Sequence, residues 1–417
     1  MFKIRLHQIE NKYEYEELVK VFLKQGEYEL TVPNEAGGSH AAEAAEGIID
    51  INVPELSGET EQGKKEKNRK NRIKRLLFKE LQLHTGKTPD WGILTGVRPV
   101  KLAAELLQRE NSETKAREIL IGEYYLSEEK ANLLLNIVAY QSSLLSASPP
   151  EAVGLYIGIP FCPTRCVYCS FPSNRGTAEQ IAAYLKALHR EIEFTAVNMK
   201  RKKWYPESVY IGGGTPTTMT SGQLDELLAH VTEAFDLNHL REFTVEAGRP
   251  DTITADKLRV IKKYGAERIS INPQTMNQKT LETIGRIHTP EDIVEAFRLA
   301  REAEIPEINT DVIAGLPEEE TEDFIRTLER ILTLAPENIT VHTLAVKRAS
   351  RLKEIDAEYN YKEGQKVRAM LDQAGEMLDQ AGYRPYYLYR QKQMTGNFEN
   401  VGYARGDTAA IYNIRIM

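Results

Sequence analysis

Three cysteines, Cys162, Cys166 and Cys169, are the only thiols in the 417-residue chain, and they fall within eight consecutive positions. They lie in the stretch YIGIPFCPTRCVYCSF (156–171) at Cys-x3-Cys-x2-Cys spacing. An odd count packed so closely does not make a disulfide framework. Tetrahedral zinc asks for a fourth ligand, and no His stands in or beside the loop. A [4Fe–4S] cluster is ordinarily held by four thiolates. Held by three, it would keep one iron open to an outside ligand, which turns an electron carrier into a catalytic centre. A structural metal knot is the competing reading of the same residues.

Other polar residues stand where apolar ones would be expected. Gly212-Gly213-Gly214-Thr215-Pro216 follows a β-like run. Glycines permit positive φ and let backbone groups approach a ligand. A phosphate loop is the bland reading, but neither its Lys-Ser/Thr pair nor a Gly-x-Gly-x-x-Gly pattern is present. Glu246 and Asp311 end hydrophobic runs, and Gln274 ends another. A carboxylate buried there costs several kcal/mol unless it is paired, so each is either a structural ion pair or an acceptor for a ligand's hydroxyl or ammonium groups. Arg286, in TIGRIHT, reads as a surface arginine or as a bidentate partner for a ligand carboxylate. His288 and His342 read as satisfied core or rim histidines.

The elements that position these residues alternate. From about 153 the strand-like runs are LYIGIP (155–160), SVYIGGG (208–214), EFTVEAG (242–248), RISINPQ (268–274), INTDVIAG (308–315) and ITVHTL (339–344), with helical patterns between them. Six βα repeats imply a parallel sheet, and right-handed crossovers curl it toward a barrel. The expectation is an α/β protein built on a partial (βα)6 TIM barrel. Chemistry in such barrels gathers at the C-terminal ends of the strands, where the cysteine loop, the Gly run, Glu246, Gln274 and Asp311 all fall.

Residues 1–56 read as a small α/β unit, with FKIRLHQI, YELTV and GIIDINV as strands and YEELVKVFLK as a helix. The insert NEAGGSHAAEAAE reads as a mobile loop. Residues 57–150 read as helical. In KKEKNRKNRIKRLLFKE, Ile73, Leu76, Leu77 and Leu81 mark one apolar face and the basic residues cover the rest, so the charge run is a solvated helix face rather than a nucleic-acid contact. Pro99 sets the next helix start. Trp91 and Arg98 read either as a site lip or as core packing. Pro149-Pro150 marks a boundary before a barrel over 151–382. Residues 383–417 read as strands and loops, the start of an incomplete C-terminal segment that stops within the apolar-alternating run AIYNIRIM.

Composition bounds the partners. Net charge is −7 with 41% hydrophobic and 28% charged residues, a globular balance that does nothing to recruit nucleic acid. No run of 18 apolar residues exists to span a membrane, and the N-terminus lacks a signal-peptide pattern. Scarce cysteine and an exposed iron–sulfur centre point to a reducing, cytoplasmic compartment, and a monomer is expected.

Over about 153–404 these motifs resemble the oxygen-independent coproporphyrinogen III oxidases of the radical S-adenosylmethionine (SAM) superfamily. The cues are Tyr156, Pro160-Phe161-Cys162, the cysteine loop, GGGTPT, the Glu of FTVEAG, the Gln of SINPQTMN, the Arg of GRIHT and DVIAGLP. WGILTGVRPVKL and CPTRCVYCSFPSN look like the HemZ-type branch. The resemblance implies a [4Fe–4S] cluster on Cys162, Cys166 and Cys169 with SAM on the open iron. Tyr156, Gly213, Glu246, Gln274, Arg286 and Asp311 match positions around that SAM. Tyr168, Gly214, Thr215 and Ala345 match positions near a second SAM. The implied reaction converts two propionates of coproporphyrinogen III to vinyl groups, giving protoporphyrinogen IX, with a flavodoxin or ferredoxin as electron donor. Two positions depart from the family pattern: Gly158 stands where a His is usual and Phe171 where a fourth Cys is. Both bear on decarboxylation. A haem-carrying branch shares the Phe, but its His-Asn-x-x-Tyr-Trp motif corresponds here to Glu399-Asn400-Val401-Gly402-Tyr403-Ala404, without the His or the Trp.

Overall fold

A computed structural model describes residues 1–7, 9, 11–32, 47–51, 62–96, 98–171, 174–347, 350–352, 364–391 and 394–417. The chain divides into two compact units, Met1–Asn136 and Ile137–Met417.

The first unit is built on a three-stranded parallel sheet of order β2-β1-β3, with β1 Phe2–Leu6, β2 Tyr28–Thr31 and β3 Gly47–Ile51. Helix α1 (Tyr13–Phe22) buries Tyr15, Leu18, Val19 and Phe22, the i, i+3, i+4, i+7 stripe of an amphipathic helix. The basic run forms α2 (Gln62–Thr85), as its periodicity predicts. Its buried face is Ile73, Leu77, Phe78 and Leu81, whereas Leu76 is 37% exposed. At 100° per residue, buried Phe78 shifts the centre of the apolar face away from Ile73, and Leu76, 60° to the other side of Ile73, falls on its edge, which corrects the expected stripe. Residues on both sides of position 56 share one core, in which Ile4, Leu6, Leu18 and Phe22 meet Ile73, Leu77 and Ile93. The expected loop NEAGGSHAAEAAE (34–46) lies outside the described residues. Helices α3 (Pro99–Glu110), α4 (Glu113–Gly122) and α5 (Glu128–Leu145) follow, and the division between units falls inside α5. Trp91 is fully buried, so it packs rather than forming a lip, and Arg98 is exposed.

The second unit carries an eight-stranded sheet. Six strands run parallel in sequence order: β4 Ala152–Ile159, β5 Tyr205–Gly213, β6 Glu242–Gly248, β7 Arg268–Ile271, β8 Glu307–Ala314 and β9 Asn338–Thr343. Between them come α6 (Ala178–Lys202), α7 (Ser221–Ala234), α8 (Ala255–Lys263), α9 (Gln278–Thr283), α10 (Pro290–Glu302) and α11 (Thr321–Thr333). Several helix starts are written locally. Thr177, Thr220 and Thr289 each accept from the backbone three residues on, and the Gln or Asp there bonds back, a capping box whose Thr contributes about 1 kcal/mol. Helix α12 (Gly364–Gln380) leads to β10 (Tyr383–Tyr389) and β11 (Asn400–Arg405), which extend the sheet antiparallel from β9 in the order β10-β11-β9.

One face of the parallel strands is apolar. Val209, Ile211, Phe243, Val245, Ile269, Ile308, Val312, Ile339 and Val341 are all essentially inaccessible, each contributing roughly 1.5–3 kcal/mol by leaving water. Alternate residues face the concave side and form a polar network. Asn309 donates to Ser270 (3.3 Å) and Asp311 (3.0 Å), and Thr340 lies 3.2 Å from the Tyr387 hydroxyl. This curled, parallel-rich half-barrel is the expected architecture.

The C-terminal run AIYNIRIM is not a strand. It forms helix α13 (Ile411–Ile416), burying Ile411 and Ile414 at i, i+3 spacing. Six residues are too few for apolar spacing to separate a helix from a strand. Helix α13 bridges the two ends of the curled sheet. Arg415 donates to Glu207 of β5 (2.7 Å), and Asn413 donates to the Tyr386 hydroxyl of β10 (3.1 Å).

Candidate active site

The chemistry-bearing residues gather along the C-terminal ends of β4 to β9. The cysteine loop leaves β4 and is tied down by its backbone. Cys162 N–H donates to Asn174 O (3.0 Å), Val167 N–H to Ile284 O (3.1 Å) and Cys169 N–H to Cys166 O (3.1 Å). All three thiols are free; Cys166 is buried, and Cys162 and Cys169 are partly exposed. Burial pushes the Cys169 thiol up, and the neighbouring thiols add to that.

The Gly run lies against this loop. Gly214 N–H donates to Ile159 O (2.8 Å) and Thr215 N–H to Phe161 O (2.7 Å). A Cβ on Gly214 would stand 2.5 Å from Phe161 O and 3.0 Å from Cys162 Sγ. Thr215 Oγ1 is 3.5 Å from the same sulfur. Gly213 has φ +118°, a conformation that costs glycine least. That geometry turns its N–H to Glu246 Oε2 at 3.1 Å.

Glu246 is half-buried on β6 and is held at both oxygens, since Tyr210 O–H donates to Oε1 at 2.6 Å. Burial pushes its carboxyl up to about 7, the Tyr210 and Gly213 donors oppose that, and Asp311 adds to it. Tyr156 pairs with Tyr210 across β4 and β5 and stacks on it at 6.1 Å between ring centroids. Tyr412 of α13 stacks on Tyr210 (4.5 Å) and on Tyr156 (5.9 Å). Tyr156 remains 48% exposed, and burial of the rest, with Glu246 nearby, pushes its hydroxyl up to about 12.

Gln274 follows β7 with φ +69°, a left-handed conformation costly for a residue with a Cβ. Strand β8 holds it there: Gln274 N–H donates to Asp311 O (3.1 Å), and Ile313 N–H donates to Gln274 O (2.9 Å). Its side-chain oxygen Oε1 is buried with no hydrogen-bond partner among the described residues. Strain together with an orphaned acceptor is what a site built for a ligand carries. Arg286 is buried; it donates to Asn272 O and, at 3.4 Å, to the Tyr168 hydroxyl. Tyr168 packs against Leu281, Ile313, Leu344 and Val346. Ala345 bridges to Met394 in the same region. Asp311 accepts from Asn309 at Oδ1 and lies 3.6 Å from His342 Nε2 through Oδ2.

His288 is a core histidine, 1% exposed, but not the satisfied one expected: neither ring nitrogen has a hydrogen-bond partner among the described residues, and burial lowers its imidazole to about 4. His342 instead faces the concave side beside Asp311. Tyr210, Tyr389, Asn272 and Tyr412 were not singled out from sequence. Tyr210 could have been, because it alternates with Gly212 on β5. Tyr412 could not, because its place depends on how α13 docks.

These residues fit a cluster-bound small molecule. Three thiols on one loop, a glycine leaving room at Cys162 Sγ and an unpartnered amide oxygen suit a larger inorganic group and an amino-acid-like ligand.

Comparison with known proteins agrees with this geometry. Residues 156–331 match the radical SAM superfamily. The chain is 40% identical over 408 residues to the oxygen-independent coproporphyrinogen-III oxidase-like protein HemZ of Bacillus subtilis, covering 96% of this chain and 79% of that protein. It is 34% identical over 195 residues to the haem chaperone HemW of Bacillus subtilis, covering 46% of this chain and 50% of that one. The solved structure of coproporphyrinogen III oxidase (HemN) from Escherichia coli, a radical SAM enzyme, superposes with a TM-score of 0.53 at 27% identity, over 65% of this chain and 59% of that one. The chain therefore belongs to the radical SAM superfamily and, within it, to the family of oxygen-independent coproporphyrinogen-III oxidase-like proteins.

Proposed function

We propose that this chain catalyses the oxidative decarboxylation of two propionates of coproporphyrinogen III to vinyl groups, giving protoporphyrinogen IX. The observation that carries it is the meeting of the cysteine loop with Gly213, Gly214, Glu246, Gln274 and Asp311 at one rim, above a polar concave face. In this reading Cys162, Cys166 and Cys169 hold a [4Fe–4S] cluster with SAM on its open iron. When bound, that pair would supply reductive cleavage of SAM and removal of a hydrogen atom from the β-carbon of a propionate, after which CO2 would leave and the remaining electron would pass to an external electron acceptor.

The chain's own residues do the rest. Gly213 and Gly214 admit the methionine part of SAM close to the backbone. Glu246 and Asp311 accept hydrogen bonds from its ribose or ammonium, and Gln274 offers the orphaned Oε1. Arg286 supplies positive charge at the rim, and Tyr156 offers an exposed aromatic face. Tyr168, Gly214, Thr215 and Ala345 would border a second SAM. A flavodoxin- or ferredoxin-type donor, a monomeric state and a cytoplasmic location complete the reading. No helix of the described residues is long and apolar enough to cross a membrane.

Haem carriage is the rival suggested by the HemW relatives. The stretch that corresponds to their haem motif points inward here: Glu399 is 3% and Asn400 2% exposed, and Asn400 Oδ1 accepts from Thr343 N–H at 2.9 Å. Those side chains are committed to packing, which favours the oxidase.

The test is an anaerobic assay of the reconstituted protein with coproporphyrinogen III, SAM and reductant, followed by mass. Successive loss of two CO2 units with formation of 5′-deoxyadenosine supports the proposal. 5′-Deoxyadenosine with unchanged porphyrinogen refutes the substrate, and one-to-one haem uptake without turnover favours the carrier.

A further inference from the structure

Besides the buried Arg286, the concave face carries two carboxylates where an anionic substrate has to approach. Glu246 and Asp311 both face the concave side, and Asp311 already bears on Glu246 electrostatically. A substrate bearing propionates needs donors there to offset that repulsion. His342 of β9 supplies them from the same face. Its Nε2 stands 3.6 Å from Asp311 Oδ2, and its Nδ1 lies 3.3 Å from the Tyr389 hydroxyl. The side chains of His342 and Asp311 are 24% and 21% exposed, so both are open to the concave side without being surface groups.

The spacing matters. At 3.6 Å His342 Nε2 and Asp311 Oδ2 lie just beyond hydrogen-bond distance. The ring is flanked without being locked, and Nε2–H stays available to a third group. Tyr389, set against the ring edge at 69°, fixes the ring plane, and burial holds its hydroxyl in the protonated, donating form. Asp311 meets Gln274 through its backbone carbonyl and His342 through its carboxylate.

We infer that His342, oriented by Tyr389 and Asp311, is the residue that receives a substrate carboxylate, fixing which propionate is presented to the SAM side of the rim. This rests on the proposed coproporphyrinogen reaction. A charge-assisted hydrogen bond is worth about 1.5–3 kcal/mol, so its loss corresponds to a roughly 10- to 150-fold weakening.

The test uses the full chain with its cluster reconstituted and air-stable coproporphyrin III as probe, alongside its tetramethyl ester, which has the same ring without carboxylates. His342→Ala is expected to weaken coproporphyrin III by about 10- to 150-fold while leaving the weaker ester binding unchanged, and His342→Gln, which keeps a donor, recovers part of the loss. Equal weakening of acid and ester, or no weakening of either, overturns the inference. SAM binding measured on the same samples adds a control: a loss of SAM affinity matching the loss of coproporphyrin overturns it too, because His342 would then act only by placing Asp311. A wild-type chain that neither binds nor converts the tetrapyrrole acid removes the proposed function itself. Normal wild-type behaviour with an indifferent His342→Ala removes this inference alone.

Discussion

Replacing Glu246 by Gln should make the protein more stable and worse at its task, and pH separates the two effects. The carboxyl sits at about 7 in the folded chain against 4.5 ordinarily, with burial as the largest cause. A carboxyl whose folded pKa is raised binds its proton more tightly when folded. Its penalty is therefore absent below about pH 4.5, grows as pH rises through 7, and is complete above that. A rise of this size at ~1.36 kcal/mol per unit sets a ceiling of roughly 3 kcal/mol. Water reaching the half-buried group brings the expectation down to about 1–2 kcal/mol. Glutamine never ionises and its Oε1 can still accept from Tyr210 O–H, but its amide NH2 then faces the Gly213 N–H donor. That is a lost hydrogen bond of about 1 kcal/mol at every pH, which leaves a net gain of up to about 1 kcal/mol at pH 8. In thermal scans of the reconstituted protein without SAM, Glu246→Gln is expected to melt about 1–2 °C above wild type at pH 8 and below it near pH 4.5, where only the lost Gly213 bond remains. In the same samples SAM affinity at pH 8 is expected to fall by about tenfold, the worth of one charge-assisted hydrogen bond. A melting difference that does not shift in the variant's favour between pH 4.5 and pH 8 would refute the reasoning.

Other substitutions probe the rest of the rim. Cys166→Ser is expected to abolish the visible absorbance of the reconstituted cluster, and retention of near-native absorbance would sink the three-thiolate assignment. Gly214→Ala places a Cβ 2.5 Å from Phe161 O and 3.0 Å from Cys162 Sγ; the crowding should cost about 1–3 kcal/mol in denaturant titrations and lower iron content per chain. Gln274→Met removes the orphaned buried oxygen, so the SAM-free protein should gain about 1 kcal/mol while SAM affinity drops. Equal stability of the two proteins would mean that Oε1 is satisfied by water.

Much of the site could be read from residue order because its parts are local. The cysteine loop and GGGTP are contiguous, and the helix starts at Thr177, Thr220 and Thr289 announce themselves three residues ahead. Glu246 and Gln274 were found because each closes an apolar run and parallel strands end on one side. Asp311 was read the same way, but it lies inside β8 with Val312, Ile313 and Ala314 still paired after it, and it faces the site because side chains alternate along the strand. The run AIYNIRIM was misread because a six-residue segment is held by what it docks against, and its partners Glu207 and Tyr386 lie far away in sequence or on another strand. Leu76 was misplaced because Phe78 was left out of the stripe, and Phe78 sets which side of Ile73 is buried.

By itself, then, the sequence determined the half-barrel, the cluster-type cysteine loop and the side of the sheet on which chemistry gathers, because hydrophobic periodicity, turn residues and ligand spacing act over a few residues. Only the tertiary structure decided the rest. The raised carboxyl of Glu246 needs the Tyr210 and Asp311 neighbours from other strands. The left-handed Gln274 exists because β8 clasps its backbone. The Tyr156–Tyr210–Tyr412 stack forms because α13 closes the sheet, and His342 becomes a ligand-facing group because β9 sets it beside Asp311 while β10 brings up Tyr389. Desolvation, strain and electrostatic coupling depend on distances through space, and those are set when the sheet curls.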